Sequence, residues 1–161
     1  MKILITGGNS AVALKLLKAF NNSEVVLADY GEVPLFATKD YRFISLGIKN
    51  EDVLAHTLLN NCLNEGVEAI LPLYGFEVEA LAKAKILFSE FNIDVLLPDS
   101  LAEMYLDTNL KEKTNNWTIF KDGVLIFSTI NEESINKLAN IKHLSGAFYI
   151  TTDNKLKLIT I

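Results

Sequence analysis

Short apolar runs alternate along the chain with longer stretches of helical period, and glycine, proline or acidic residues separate the two. Lys2 to Thr6 is too short for a helix and rich in β-branched residues, so it reads as a buried parallel strand, with Gly7-Gly8 marking a tight turn. After the turn Ala13, Leu16, Leu17 and Phe20 recur at helical spacing, with Lys15 and Lys18 pointing the other way. Glu24 to Tyr30 is a second strand whose apolar core ends at Asp29, Gly31 to Asp40 is a loop containing Pro34, and Arg42 to Leu46 is a third strand. A helix over about Asn50 to Asn64, lined by Val53, Leu54, Thr57, Leu58 and Leu59, stops at Gly66. Ala69 to Leu73 forms a fourth strand, Phe76 to Phe91 a helix that opens with Glu77 and Glu79, and Ile93 to Leu97 a fifth strand closed by Pro98. Asp99 or Ser100 caps a further helix through Leu106 towards Lys113.

Strands alternating with helices at this spacing predict an α/β fold, a Rossmann-like doubly wound parallel sheet ordered 3-2-1-4-5 over residues 1–114. Ligands in such sheets sit beyond the carboxyl ends of the strands where the order reverses, so Gly7 to Ser10 and Leu73 to Glu77 should share one mouth with Asp29 nearby. Residues 115–161 read differently, as a small β-rich extension packed on the first domain. It has β-like runs at Trp117 to Phe120 and Val124 to Ile130, and a short helix from Glu132 to Ala139 capped by Asn131. A hairpin joins Ala147 to Thr151 and Leu156 to Ile161 through Thr152-Asp153-Asn154-Lys155. The pattern leaves open whether these strands extend the first sheet or form a subdomain.

Composition narrows the functional classes. Half of the 161 residues are hydrophobic and 22% are charged, as expected of a packed globule. A net charge of −5 with Arg42 as the only arginine argues against nucleic-acid partners, which require clustered cations. The single cysteine, Cys62, cannot form an internal disulfide, and its leucine neighbours make it a buried structural thiol in a reducing, cytoplasmic compartment. No run approaches the length of a membrane helix, and the first apolar run is too short for a secretory signal, so no membrane partner is expected.

The chemistry concentrates at the predicted mouth. Gly7, Gly8, Asn9 and Ser10 occupy the position of a phosphate-binding turn, where a β-carbon would keep the backbone away from a pyrophosphate. Ala11 and Ala13 stand where later glycines of that pattern would be, and Asp29, 22 residues after Gly7, has the spacing of a ribose-binding carboxylate. Leu73, Tyr74, Gly75, Phe76 and Glu77 are the candidate ligand or interface residues. His56 and His143 lack partners at metal-ligand spacing, so no metal site is expected. None of the five tyrosines precedes a lysine by four positions, which argues against short-chain dehydrogenase chemistry, and no catalytic residue is assigned.

The stretches KILITGGNSAVALKLLKAF, VVLADY and AILPLYGFEVEALAKAKILFSEFNIDVLLPD resemble the amino-terminal, pre-ATP-grasp domain of ATP-grasp enzymes, especially carbamoyl-phosphate-synthetase-like ligases, over residues 1–113. In that family an Asp-Lys pair follows the fifth strand; here Asp107 is followed by Thr108, with Lys111 the nearest lysine. The family continues through two lobes that clamp ATP and supply magnesium ligands, and Lys121 to Leu138 is faintly similar to part of the first lobe without its glycine-rich loop. The resemblance implies a stand-alone, non-catalytic module that binds a small molecule or docks on a separate ATP-grasp subunit. Two alternatives stand beside it. One is an enzyme holding a nucleotide or NAD(P) at Gly7 to Ser10 and Asp29, with Glu77 or Tyr74 doing chemistry. The other is a structural module acting through homo-oligomer contacts. The cofactors to consider are ATP with magnesium, or NAD(P).

Overall fold

The computed structural model describes residues 1–101 and 114–161. The helix expected after Asp99, with Asp107, Thr108 and Lys111, falls almost wholly outside the described residues. The chain divides into two compact units, Met1–Val95 together with Ile161, and Leu96–Thr160.

The first unit is a five-stranded, all-parallel sheet in the order β3-β2-β1-β4-β5, the order expected from the sequence. Its strands are β1 (Lys2–Thr6), β2 (Glu24–Asp29), β3 (Tyr41–Ser45), β4 (Ala69–Leu71) and β5 (Asp94–Val95). Ile3, Leu4 and Ile5 of β1 and Val26, Leu27 and Ala28 of β2 are wholly buried, because helices cover both faces of a parallel sheet. Those helices are α1 (Ala11–Leu16), α2 (Leu54–Glu65) and α3 (Gly75–Glu90). Alpha1 is shorter than the apolar period suggests: after Leu16 the chain tightens into a 3-10 turn, Leu17–Phe20, which still buries Phe20. A 3-10 turn over Glu51–Val53 likewise precedes α2, so Val53 is exposed and the buried face is Leu54, Leu58, Leu59 and Cys62. Burial pushes the Cys62 thiol up to about 12, which keeps it protonated and inert. Val78, Leu81 and Phe88 are the buried stripe of α3; each is worth about 1.5–3 kcal/mol of apolar burial. Arg42 on β3 pairs with Glu65 in the last turn of α2.

The second unit has its own four-stranded antiparallel sheet, order β7-β6-β8-β9, so the extension forms a separate sheet. Its strands are β6 (Trp117–Lys121), β7 (Val124–Ser128), β8 (Gly146–Ile150) and β9 (Leu156–Leu158), with α4 (Glu133–Ile141) between β7 and β8. Asp122 and Gly123 both have positive φ, 47° and 74°, as a two-residue hairpin loop between right-twisted strands requires. Gly123 is also pressed against α4, where a β-carbon would stand 2.9 Å from the Ala139 carbonyl oxygen. Alpha4 buries Ile135 and Ala139 and starts one residue later than expected, with Glu132 and not Asn131 at its cap position and no side-chain cap bond. Val124 and Ile141 are left largely exposed. Among the described residues no helix is long and apolar enough to cross a membrane.

Candidate functional site

The carboxyl ends of β1, β2 and β4 bring Thr6, Asp29 and the Leu73–Glu77 segment to one edge of the parallel sheet. Gly7 turns the chain away from β1 with φ 64°, a conformation that costs a residue with a β-carbon about 1–2 kcal/mol. Gly8 serves a different purpose. Its N–H donates to the Ala28 carbonyl at 2.9 Å, and a β-carbon there would lie 2.9 Å from Leu27 Cβ and 3.0 Å from the Ala28 nitrogen. The glycine pair thus lets the turn lie flat on β2. Ser10 caps α1, its hydroxyl accepting the Ala13 N–H at 3.1 Å.

Asp29 closes on this turn. Its Oδ2 accepts the Asn9 N–H at 2.9 Å, while Oδ1 accepts the Tyr30 N–H at 2.9 Å and the Tyr74 hydroxyl at 2.7 Å. Only 4% of Asp29 is exposed. A turn amide that could meet an anion is therefore bonded to a carboxylate whose own charge opposes a phosphate. Leu73 is a core residue, wholly buried, and its carbonyl accepts the Ile161 N–H at 2.8 Å; a β-carbon on Gly7 would overlap the Ile161 side chain.

Glu77 sits in the first turn of α3 and is wholly buried. Its Oε2 accepts the Thr6 hydroxyl, and its Oε1 accepts the Tyr30 hydroxyl at 2.7 Å. The Thr6 oxygen in turn accepts the Leu73 N–H at 2.8 Å, so one threonine links β1, the segment after β4, and α3. Burial pushes the Glu77 carboxyl up to about 7, against the bonds from Thr6 and Tyr30 that favour the ionised form, and the Asp29 charge adds to the rise. Burial, followed by the bond to Asp29, pushes Tyr74 up to about 12, and burial together with Glu77 raises Tyr30 further above the ordinary phenol range. Both tyrosines are therefore fixed donors at neutral pH, and Glu77 is the group able to hold or release a proton there.

Aromatic rings flank the network. Tyr74 and Phe76 stack with centroids 5.0 Å apart, Tyr30 lies 5.9 Å from Tyr74 and 5.7 Å from Phe76, and the Lys49 ammonium stands 3.9 Å over Phe76. Lys49 also pairs with Glu51 at 2.6 Å.

Of the residues singled out from sequence, Asn9, Asp29, Tyr74 and Glu77 belong to this bonded network. Gly7, Gly8 and Ser10 shape the turn, Gly75 is the first residue of α3, and Phe76 is part of the ring cluster. Thr6, Tyr30 and Lys49 were not singled out. A polar residue at the end of an otherwise apolar strand, and an Asp-Tyr pair at the next strand end, were the signals available for the first two. Among the described residues no group of three or more His, Cys, Asp or Glu could hold a metal ion. No protein-family model matches the chain, and no curated protein matches it.

Proposed function

We propose that the chain is a pre-ATP-grasp-like module without catalysis of its own, which acts by binding a small organic ligand or a protein subunit and not by holding a dinucleotide. The observation that carries this reading is the bond from the Asn9 N–H to Asp29, with Tyr74 and Tyr30 completing the carboxylate. A pyrophosphate on this turn would have to displace a charge-assisted contact and then face the freed carboxylate. The exposed apolar residues Val124 and Ile141 on the second unit support the subunit form of the proposal.

The test is thermal unfolding of the purified chain against ATP with magnesium, ADP, NAD, NADP and a panel of small carboxylates and amino acids, with molar mass in solution measured alongside. At a hundredfold excess over Kd a bound ligand contributes about 2.7 kcal/mol, which raises the midpoint by roughly 5–10 °C. The expected outcome is no response to NAD or NADP, with either a shift from the organic panel or a mass above that of the monomer. A saturable shift with NAD or NADP overturns the proposal.

Glu77 favours a second reading, in which the same edge performs acid–base chemistry. A buried carboxyl near 7 is suited to proton transfer at neutral pH. Both its oxygens are engaged by Thr6 and Tyr30, so one of those bonds must yield before substrate can be reached. A panel compound that moves the Glu77 titration midpoint, followed by carboxyl NMR, favours this reading over the first.

A further inference from the structure

At the opposite, amino-terminal edge of the parallel sheet, a cleft of about 410 Å³ opens between the end of the first helical segment and the starts of β2 and β3. Its size falls in the range of small-molecule sites, roughly 300–1,000 Å³. Phe20 and Val25 are buried at its floor beside half-buried Leu17, and Tyr41, which pairs with Val25 across β2 and β3, supplies an aromatic wall. Lys18, Lys39 and Asp40 are exposed at the rim.

The rim cations differ from five other lysines among the described residues. Lys2, Lys49, Lys83, Lys137 and Lys155 each hold a carboxylate. Lys18 and Lys39 have no ion-pair partner among the described residues, although the net charge is −5 and carboxylates outnumber cations. Lys39 and Asp40 are carried on a fixed turn: the Thr38 hydroxyl accepts the Asp40 and Tyr41 N–H groups at 3.2 and 3.0 Å, and the Thr38 N–H donates to the Tyr41 carbonyl at 2.8 Å. Two unpaired ammonium groups above an apolar and aromatic floor match an anion with an apolar body, and Asp40 adds one acceptor of opposite charge.

We propose that this cleft binds a small organic anion, its apolar or aromatic body on Phe20, Val25 and Tyr41, its carboxylate between Lys18 and Lys39, and a hydrogen-bond donor turned to Asp40. The site lies at the other end of the sheet from Asp29 and Glu77, and it does not depend on the function proposed for them.

The experiment is an NMR titration of the ¹⁵N-labelled chain with 4-hydroxyphenylacetate, with 2-(4-hydroxyphenyl)ethanol as the uncharged counterpart and tyramine as the cationic one. The expected result is saturable amide shifts at Leu17 to Val25 and Thr38 to Tyr41, with Kd at or below about 1 mM. The alcohol and the amine should bind at least about fivefold more weakly, and the Lys18→Gln/Lys39→Gln double variant should lose about fivefold or more in affinity for the carboxylate, as two exposed charge contacts imply. Lys83→Gln, which removes a charge elsewhere, should leave that affinity unchanged. Failure to saturate by about 10 mM, shifts mapping to other residues, equal binding of the alcohol or the amine, or full affinity in the double variant would each overturn the proposal.

Discussion

Two groups of charges at opposite ends of the parallel sheet are treated in opposite ways. At the carboxyl end Asp29 and Glu77 are buried and their four oxygens all accept bonds from the protein's own donors, Asn9, Tyr30, Tyr74 and Thr6. At the amino end Lys18 and Lys39 stand in solvent beside a cleft with no partner among the described residues. A fold of this class directs attention to the carboxyl end, yet what a site can bind depends on which donors and acceptors are still unspent. By that measure, the end the fold recommends is the more self-satisfied of the two.

The comparison breaks most severely at Gly8. Gly8→Val places a branched side chain against Leu27 and the Ala28 backbone, so it should destabilise the chain by about 3 kcal/mol or more and lower Tm by about 10 °C, whether or not any ligand is present. Chemical denaturation checks this; a variant as stable as the parent would show that the turn does not rest on β2 as described.

The next effect is a dependence on pH. The Glu77 carboxyl titrates near 4.5 in an unfolded chain and near 7 in the folded one, so the folded state takes up protons over that interval. Its stabilising advantage is complete below about pH 4.5 and is lost as pH rises through 7, a fall of about 3 kcal/mol. Glu77→Gln, which cannot ionise, should flatten that part of the stability profile. An unchanged slope in the variant would assign the dependence to other groups.

Tyr74→Phe removes one of three bonds to Asp29 and leaves the two backbone donors, so it should cost about 1–2 kcal/mol and no more. The smallest effect belongs to the other end. Lys18→Gln and Lys39→Gln should each change stability by less than about 0.5 kcal/mol, because neither lysine holds an ion-pair partner among the described residues. A larger loss would mean that the cleft is built to support the fold.

Much of the architecture was legible because burial writes itself into composition at short range. The apolar runs KILIT and EVVLAD, and the glycine pair after the first, are enough to place two parallel strands and the turn between β1 and α1. The 3-10 turns were not legible: Leu17 and Val53 fit a helical period equally well, and only packing decides where an α-helix tightens. Beta5 is two residues long although the five-residue run Ile93 to Leu97, apolar but for Asp94, suggests more, because pairing with β4 ends at Val95.

The site divides in the same way. Sequence alone placed Asn9, Asp29, Tyr74 and Glu77 at one sheet edge, since strand order and crossover handedness fix which strand ends meet. It also set the sheet order 3-2-1-4-5 and the change to an antiparallel pattern in the last part of the chain. Only the tertiary structure decided that Asp29 turns inward to the Asn9 amide, that Thr6 and Tyr30 hold Glu77, and that burial brings its carboxyl near neutrality. Those outcomes depend on contacts between residues 20 to 71 positions apart, on angles and distances of a few tenths of an ångström, and on the exclusion of water, none of which has a period that can be read along the chain.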